Sequence, residues 1–240
     1  MKKSAEMDKN ILAIIPARGG SERIPGKNII PFAGKPLLAW TVEAALNSNT
    51  VSRTIVSTDS DEITAVSRDL GAEVITRPPE LSQAHSTSEM ALIHVLDELR
   101  ENENYAPDII VFLQATSPLR SPNDIDGAVG TLLAEDADSL LSVNPIPGPG
   151  FLWHLNGKTA SPFNFDPQNR PRTQEFVEEY FAENGSMYVF HREVIEKYGC
   201  RLGGKVALFH QPLENGFEID KPSDMKIMEI LVKQVDRTDG

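Results

Sequence analysis

The chain has 240 residues, of which 40% are hydrophobic and 24% charged, enough apolar material for the core of one large domain with an appendage. Its formal net charge of -12 at pH 7 argues against general affinity for nucleic acid or anionic membranes, while leaving room for a small anion at a local basic cluster. The one cysteine, Cys200, permits no internal disulfide.

The first ten residues are polar and lack a signal-peptide core, and no apolar run is long enough to span a bilayer, so a cytoplasmic protein is expected. Ile11 to Pro16 is almost wholly apolar, as in a strand buried on both faces. Pro36 to Leu46 reads as a helix with Leu37, Leu38, Val42 and Ala45 on one side. Arg53 to Ser57 is a second strand, followed by a helix from Asp59 to Leu70 with Ser60 as N-cap and Gly71 past its end. Glu73 to Thr76 is a third strand. Ser86 to Arg100 is a long helix, and the Ser86–Glu89 spacing suggests a capping box. Asp108 to Leu113 is a fourth, continuously apolar strand, followed by a helix over Ser121 to Leu133 and a strand over Asp138 to Val143. The region 144–183, rich in Pro, Gly and aromatics, is too long for an ordinary connection and reads as an excursion. Regular structure resumes with a strand at Ser186 to Phe190 and a helix near His191 to Tyr198. Strands at Val206 to Phe209 and Phe217 to Ile219 precede a last helix from Pro222 to about Val232.

This alternation predicts an α/β fold in three layers, with helices on both faces of a mostly parallel sheet. Ligands in such sheets bind beyond the carboxyl ends of the strands. The loops 16–28, 57–60 and 114–120 should share that edge. In the first of these, Gly19 and Gly20 free the backbone to point N–H groups at an anion. Arg18, Arg23 and Lys27 add three cations, and Gly26 allows close approach. A triphosphate needs such donors and charge where negative charge accumulates during displacement at phosphorus. The loop matches neither the Walker pattern nor the G-x-G-x-x-G fingerprint.

The run IIPARGGSERIPGKN resembles the signature I-P-A-R-x-x-S-x-R-x-P-x-K-N of the acylneuraminate cytidylyltransferases. Further matches follow in family order: VSTDSDEI, RPPEL, LQATSPLR, ENGSMYVF and EIDKPSD. The resemblance implies a Rossmann-like nucleotidyltransferase domain over 1–240. It also implies a homodimer whose arm, at 144–183, reaches the partner's active site. The implied reaction joins CTP to a nonulosonic acid, N-acetylneuraminate or a close relative, giving the CMP-sugar and pyrophosphate. Arg18 and Lys27 match the catalytic, phosphate-facing positions, with Gly19 and Asn28 beside them. Arg77 and Ser88 match positions for the base and ribose. Gln114, Arg172 and Tyr188 match positions near the sugar, Arg172 suiting its carboxylate.

Asp220 and Glu218 occupy positions where the family usually has two aspartates. Alternate residues of a strand face one way, so both can share a Mg²⁺ or Mn²⁺ ion, with Asp220 also a catalytic position. Phe151 or Leu152 falls where many members carry an arm lysine, so contacts with the sugar should differ here. Other readings are a Kdo-type or sugar-1-phosphate nucleotidyltransferase, or a nucleotide-binding protein without catalysis. Asp59 reads as a helix cap, and Arg120 as a residue that holds its loop.

Overall fold

Strand Ile11–Pro16 (β1) has no polar face, and it lies at the centre of the molecule with five residues fully buried. The computed structural model describes residues 9–21, 23–146, 151–172, 175 and 179–235. After β1 come a small antiparallel pair, β2 (Pro31–Phe32) and β3 (Lys35–Pro36), then α1 (Leu37–Leu46), β4 (Arg53–Thr58), α2 (Asp61–Asp69) and β5 (Glu73–Thr76). The middle of the chain forms α3 (Ser88–Glu103), β6 (Ile109–Leu113), α4 (Pro122–Ala134) and β7 (Ser139–Ile146). A hairpin of β8 (Trp153–Asn156) and β9 (Thr159–Pro162) precedes β10 (Tyr180–His191), α5 (Arg192–Tyr198), β11 (Val206–His210) and α6 (Pro222–Val235).

The main sheet has seven strands in the order β11-β7-β10-β6-β1-β4-β5. Only β10 runs against its neighbours β6 and β7; the other pairs are parallel. Successive side chains of a strand point to opposite faces, so each central strand feeds two cores. Ala13, Ile15, Val111 and Leu113 pack with Leu38 and Val42 of α1 and Ile125 and Leu132 of α4. Leu12, Ile14, Ile110 and Phe112 pack with Leu92, Val95 and Leu99 of α3 and Val194 of α5. This is the expected three-layer fold. Among the described residues, no helix is long and apolar enough to cross a membrane.

A third, smaller core unites Ile24, Phe32 and Leu37 with Ile219, Met228 and Val232. It binds α6 and the residue Ile219 before it to the loop after β1, two segments far apart in the chain.

Three local expectations change. The N-cap of α3 is Thr87, whose hydroxyl accepts from Met90 N at 3.3 Å, and the helix runs on to Glu103. Ser86 is occupied in the preceding turn, donating its N–H to the Gln83 carbonyl, while Glu89 pairs with Arg201, so no box forms there. The capping box instead opens α4, between Ser121 and Asp124. Phe217 to Ile219 is not a strand: a 3-10 turn at Leu213–Gly216 leads into unpaired chain, and Ile219 N donates to the Thr116 carbonyl at 2.9 Å. Of the excursion, β7 takes the first residues and β10 the last. Residues 147–150, 173–174 and 176–178 lie outside those described.

Asp126 on α4 pins the turn between α1 and β4. It accepts from Ser48 Oγ at 2.6 Å, Asn49 N at 3.1 Å, Asn49 Nδ2 at 2.9 Å, Thr50 N at 3.0 Å and Thr50 Oγ1 at 2.8 Å. Burial pulls its pKa upward, but these hydrogen bonds outweigh it and hold the carboxyl down at about 2. A folded-state pKa below the unfolded one gives stability that is complete above the ordinary carboxylate range and lost as pH falls through the folded value. Asp126→Ala is expected to cost about 2 kcal/mol at pH 7. Urea unfolding should show the gap from the parent chain narrowing as pH drops toward 2.

Candidate active site

Beyond β1 the chain stays paired for one more residue, Ala17 N donating to the Ser57 carbonyl at 2.9 Å, and then turns. Gly19 N donates to Asp59 Oδ1 at 2.9 Å. A Cβ on Gly19 would lie 3.0 Å from Ser60 Cβ, so glycine lets the loop press against the start of α2. This corrects two expectations. The Gly19 N–H is taken by a protein carboxylate rather than pointing at an incoming anion, and Asp59 is the loop's anchor while Ser60 alone caps α2. The signal for Asp59 was its position after the second strand, on the ligand edge.

Asn28 is buried and donates through Nδ2 to the Arg18 carbonyl at 3.0 Å, so it closes the loop upon itself. Arg18 Nη1 reaches the Gln83 carbonyl at 3.0 Å. Gly26 adopts φ 63°, a left-handed conformation, and opens the short turn that carries Lys27 inward. Lys27 Nζ donates to the Ile219 carbonyl and to Asp220 Oδ1, both at 3.0 Å. Arg23 Nη1 meets the other oxygen, Asp220 Oδ2, at 3.2 Å. The Lys27 side chain is 14% exposed and that of Asp220 43%, so the pair sits at the mouth of a cleft and not in the core.

The loops after β1 and β6 and the start of α3 do share one edge. Arg18, Ser21, Lys27 and Asn28 form one wall of the cleft; Ser88, Phe112 and Gln114 to Thr116 form the other. An adjoining hollow continues past Arg23 and Asp220 to Glu218 and Phe217. Arg18, Lys27, Asn28, Ser88, Gln114, Asp220 and Glu218 are therefore brought together.

Burial raises the Glu218 carboxyl to about 7, and the charge of Asp220 adds to the rise, while Lys27 and Arg120 oppose it. The two carboxylates thus sense each other without a strand between them; the alternation argument fails, but the proximity it predicted is present. Among the described residues, no group of three or more His, Cys, Asp or Glu side chains is placed to hold a metal ion.

Arg77, Arg172 and Tyr188 stand apart from the cleft lining. Arg77 is buried at the end of β5 and gives Nη2 to the Ser57 carbonyl at 2.7 Å and Nε to Ser57 Oγ at 3.1 Å. Burial lowers its pKa, Asp59 opposes this, and the nearby Arg18 lowers it further. Arg172 is exposed before β10, with its N–H donated to Glu175 Oε2 at 2.9 Å. Tyr188 is a core aromatic stacked on Phe112 at 5.4 Å, and its hydroxyl donates to Glu183. Burial, with that bond, pushes its pKa up to about 12.

Arg120 is 2% exposed, which its sequence position alone did not reveal. Nη1 donates to the Ser186 carbonyl at 2.6 Å, and Nη2 to Thr41 Oγ1 at 3.0 Å and the Gln114 carbonyl at 3.4 Å. Burial lowers its pKa to about 10, against the pull of Asp124 and Glu218. It ties β6, β10 and α1 together beneath the cleft.

A mostly parallel sheet with a basic loop at the carboxyl end of its first strand defines an α/β protein whose ligand edge can take an anion. More narrowly, the chain belongs to the cytidylyltransferase family, whose model matches residues 12–236. It is 37% identical over 227 residues to an N-acylneuraminate cytidylyltransferase A of Danio rerio, covering 92% of this chain and 50% of that protein. It thus spans about half the length of the first curated relatives it matches. A CMP-N,N'-diacetyllegionaminic acid synthase of Legionella pneumophila is 33% identical over 236 residues, covering 93% of this chain and 96% of that one. The solved structure of a CMP:2-keto-3-deoxy-manno-octonic acid synthetase complexed with CTP shares the fold. It has a TM-score of 0.69 at 20% identity and covers 94% of this chain and 99% of its own.

Replacing Arg120 by alanine removes the donor for two carbonyls and two hydroxyls in a buried setting. The expected loss is about 3 kcal/mol, read as a lower urea midpoint. An unchanged midpoint would show that the loop holds without it.

Proposed function

We propose that the chain is a CTP-dependent cytidylyltransferase that activates a nonulosonic acid, N-acetylneuraminate or a close relative. The acid's anomeric hydroxyl attacks the α-phosphorus of CTP, the bond to the β-phosphate oxygen breaks, and pyrophosphate leaves with the CMP-sugar formed. The observation that carries this reading is the meeting of Lys27 with Asp220 at the mouth of the Arg18–Asn28–Gln114 cleft. The relatives' names supply the substrate class.

Displacement at phosphorus depends on positioning and charge neutralisation more than on covalent catalysis. Lys27, held by Asp220 and the Ile219 carbonyl, keeps its charge directed at the cleft. Arg18 faces the same space, with Gly19 and Asn28 setting the shape of its loop. Ser88 at the first turn of α3 and Arg77 behind the loop serve base and ribose, Arg77 by holding the end of β4. Gln114 presents an amide to sugar hydroxyls.

Asp220 and Glu218 are the residues that would hold Mg²⁺ or Mn²⁺. Two neighbouring carboxylates suit a divalent ion, which would complete its shell with phosphate and water. Such an ion would supply positive charge to offset that of the triphosphate.

The β8–β9 hairpin supports the homodimer. Trp153 and Leu155 of the hairpin and Phe163 just after it are 56%, 67% and 73% exposed, apolar surface that a subunit contact would cover. Arg172, exposed between the hairpin and β10 in the chain, is then a cation for the acid's carboxylate in the partner's cleft. A cytoplasmic setting, without nucleic acid or membrane partners, accords with the acidic surface.

Pyrophosphate release from CTP and Mg²⁺ should appear with at least one acid in a panel of nonulosonates, cease with EDTA and return with Mg²⁺ or Mn²⁺. Lys27→Ala should lower turnover about 10²- to 10³-fold in a folded protein. Release with no member of the panel would defeat the proposal. Light scattering should give the mass of two chains, and a monomer at assay concentration would defeat the dimer.

A further inference from the structure

The turn after α5 is held to the start of β7. Gly203 N donates to Ser139 Oγ at 3.1 Å and its carbonyl accepts from that hydroxyl at 2.9 Å. Lys205 N donates to Asp138 Oδ2 at 2.6 Å. Gly204 has φ 66°, and a Cβ there would fall 2.2 Å from the same Asp138 oxygen, so only glycine permits the approach. Arg201 projects from this rigid turn.

Its guanidinium carbon lies 4.2 Å from the Tyr188 ring centroid and 5.5 Å from that of Phe112. The two rings are nearly parallel, at an angle of 12°. Arg201 Nη1 donates to Glu89, and the Tyr188 hydroxyl to Glu183. The ion pair is largely shielded, with 23% of the Arg201 side chain and 19% of the Glu89 side chain exposed. One member of this cluster, Phe112, lines the cleft, and Glu89 is the chain neighbour of Ser88, which lines it too. The basic loop follows β1, whereas Tyr188 and Glu183 belong to β10, on the far side of β6. The cluster therefore lies behind Phe112, on the side of the cleft away from the basic loop.

We propose that Arg201 is a positioning residue for the acid sugar. It clamps the Phe112–Tyr188 stack and ties Glu89 to it, fixing the wall against which the sugar's polar substituents rest. The inference rests on the cytidylyltransferase reading. A planar guanidinium both stacks on an aromatic face and pairs with a carboxylate; an ammonium does the second alone.

Steady-state pyrophosphate release separates this role from simple bracing. With the best acid of the panel, Arg201→Ala should raise the KM for the acid about tenfold while the KM for CTP stays within about twofold. Arg201→Lys keeps the charge but not the stack, and should remain impaired toward the acid alone. Should Arg201→Ala fail to fold, Glu89→Gln keeps the stack and frees the guanidinium, and should raise the acid's KM about threefold. A parent enzyme that turns over while the variant's acid KM is unchanged, or while both KM values rise together, overturns this inference alone. A parent chain that turns over no acid overturns the functional reading and this inference with it.

Discussion

Ile219 is fully buried, and everything at the cleft's mouth follows from where it is buried. Its side chain joins Ile24 and Phe32 under the basic loop and Met228 on α6. Its N–H is held by Thr116 after β6, and its carbonyl accepts from Lys27. One residue thus fastens three segments, and its chain neighbours Glu218 and Asp220 have to emerge opposite the cations. Hydrophobic burial supplies the force and is not directional. The hydrogen bonds on either side of Ile219 supply the direction.

That arrangement explains how an acidic protein keeps a basic cleft. Lys27 and Arg23 share the carboxylate of Asp220, so part of their charge is balanced before any ligand enters. The balance is incomplete, since two cations meet one anion and Arg18 stands beside them. Like charges gathered in one place repel, and Asp220 together with the Asp59 anchor under Gly19 offsets the cost of holding them there. Buried arginines brace the scaffold from behind. Arg77 holds the end of β4, and Arg120 holds the loop after β6 to β10; both give up favourable solvation to do so.

The reversed strand β10 lies on the far side of β6 from the basic loop. On the β1 and β4 side lie the loop cations; on the β6 and β10 side lie Gln114, Tyr188 and the Arg201 cluster. The β10 register shifts between Glu183 and Tyr188. Gly185 at that shift has φ 70°, and a Cβ there would come within 2.1 Å of Glu218 Oε1. The shift brings the strand's backbone against the very carboxylate that neighbours Asp220. Irregular sheet geometry at such a place redirects side chains.

Local periodicity decided much of the fold. Apolar runs such as Ile11 to Pro16 and Ile109 to Leu113 can only be strands covered on both faces, and the helices between them show the right spacing, so the parallel sheet and its ligand edge were legible in the chain. The cations at 18, 23 and 27 were legible too, because they crowd one loop. What the sequence could not settle was where long-range contacts send a group with several possible partners. Glu89 could have closed a capping box, but Arg201 binds it from 112 residues away. Asp59 could have capped a helix, but it holds Gly19. Glu218 and Asp220 could have alternated along a strand, but the burial of Ile219 aligns them without one. The sequence by itself determined which segments are strands and helices and which loop gathers charge, since those follow from neighbours along the chain. Only the tertiary structure decided which carboxylate meets which cation, since that depends on packing between residues the chain keeps far apart.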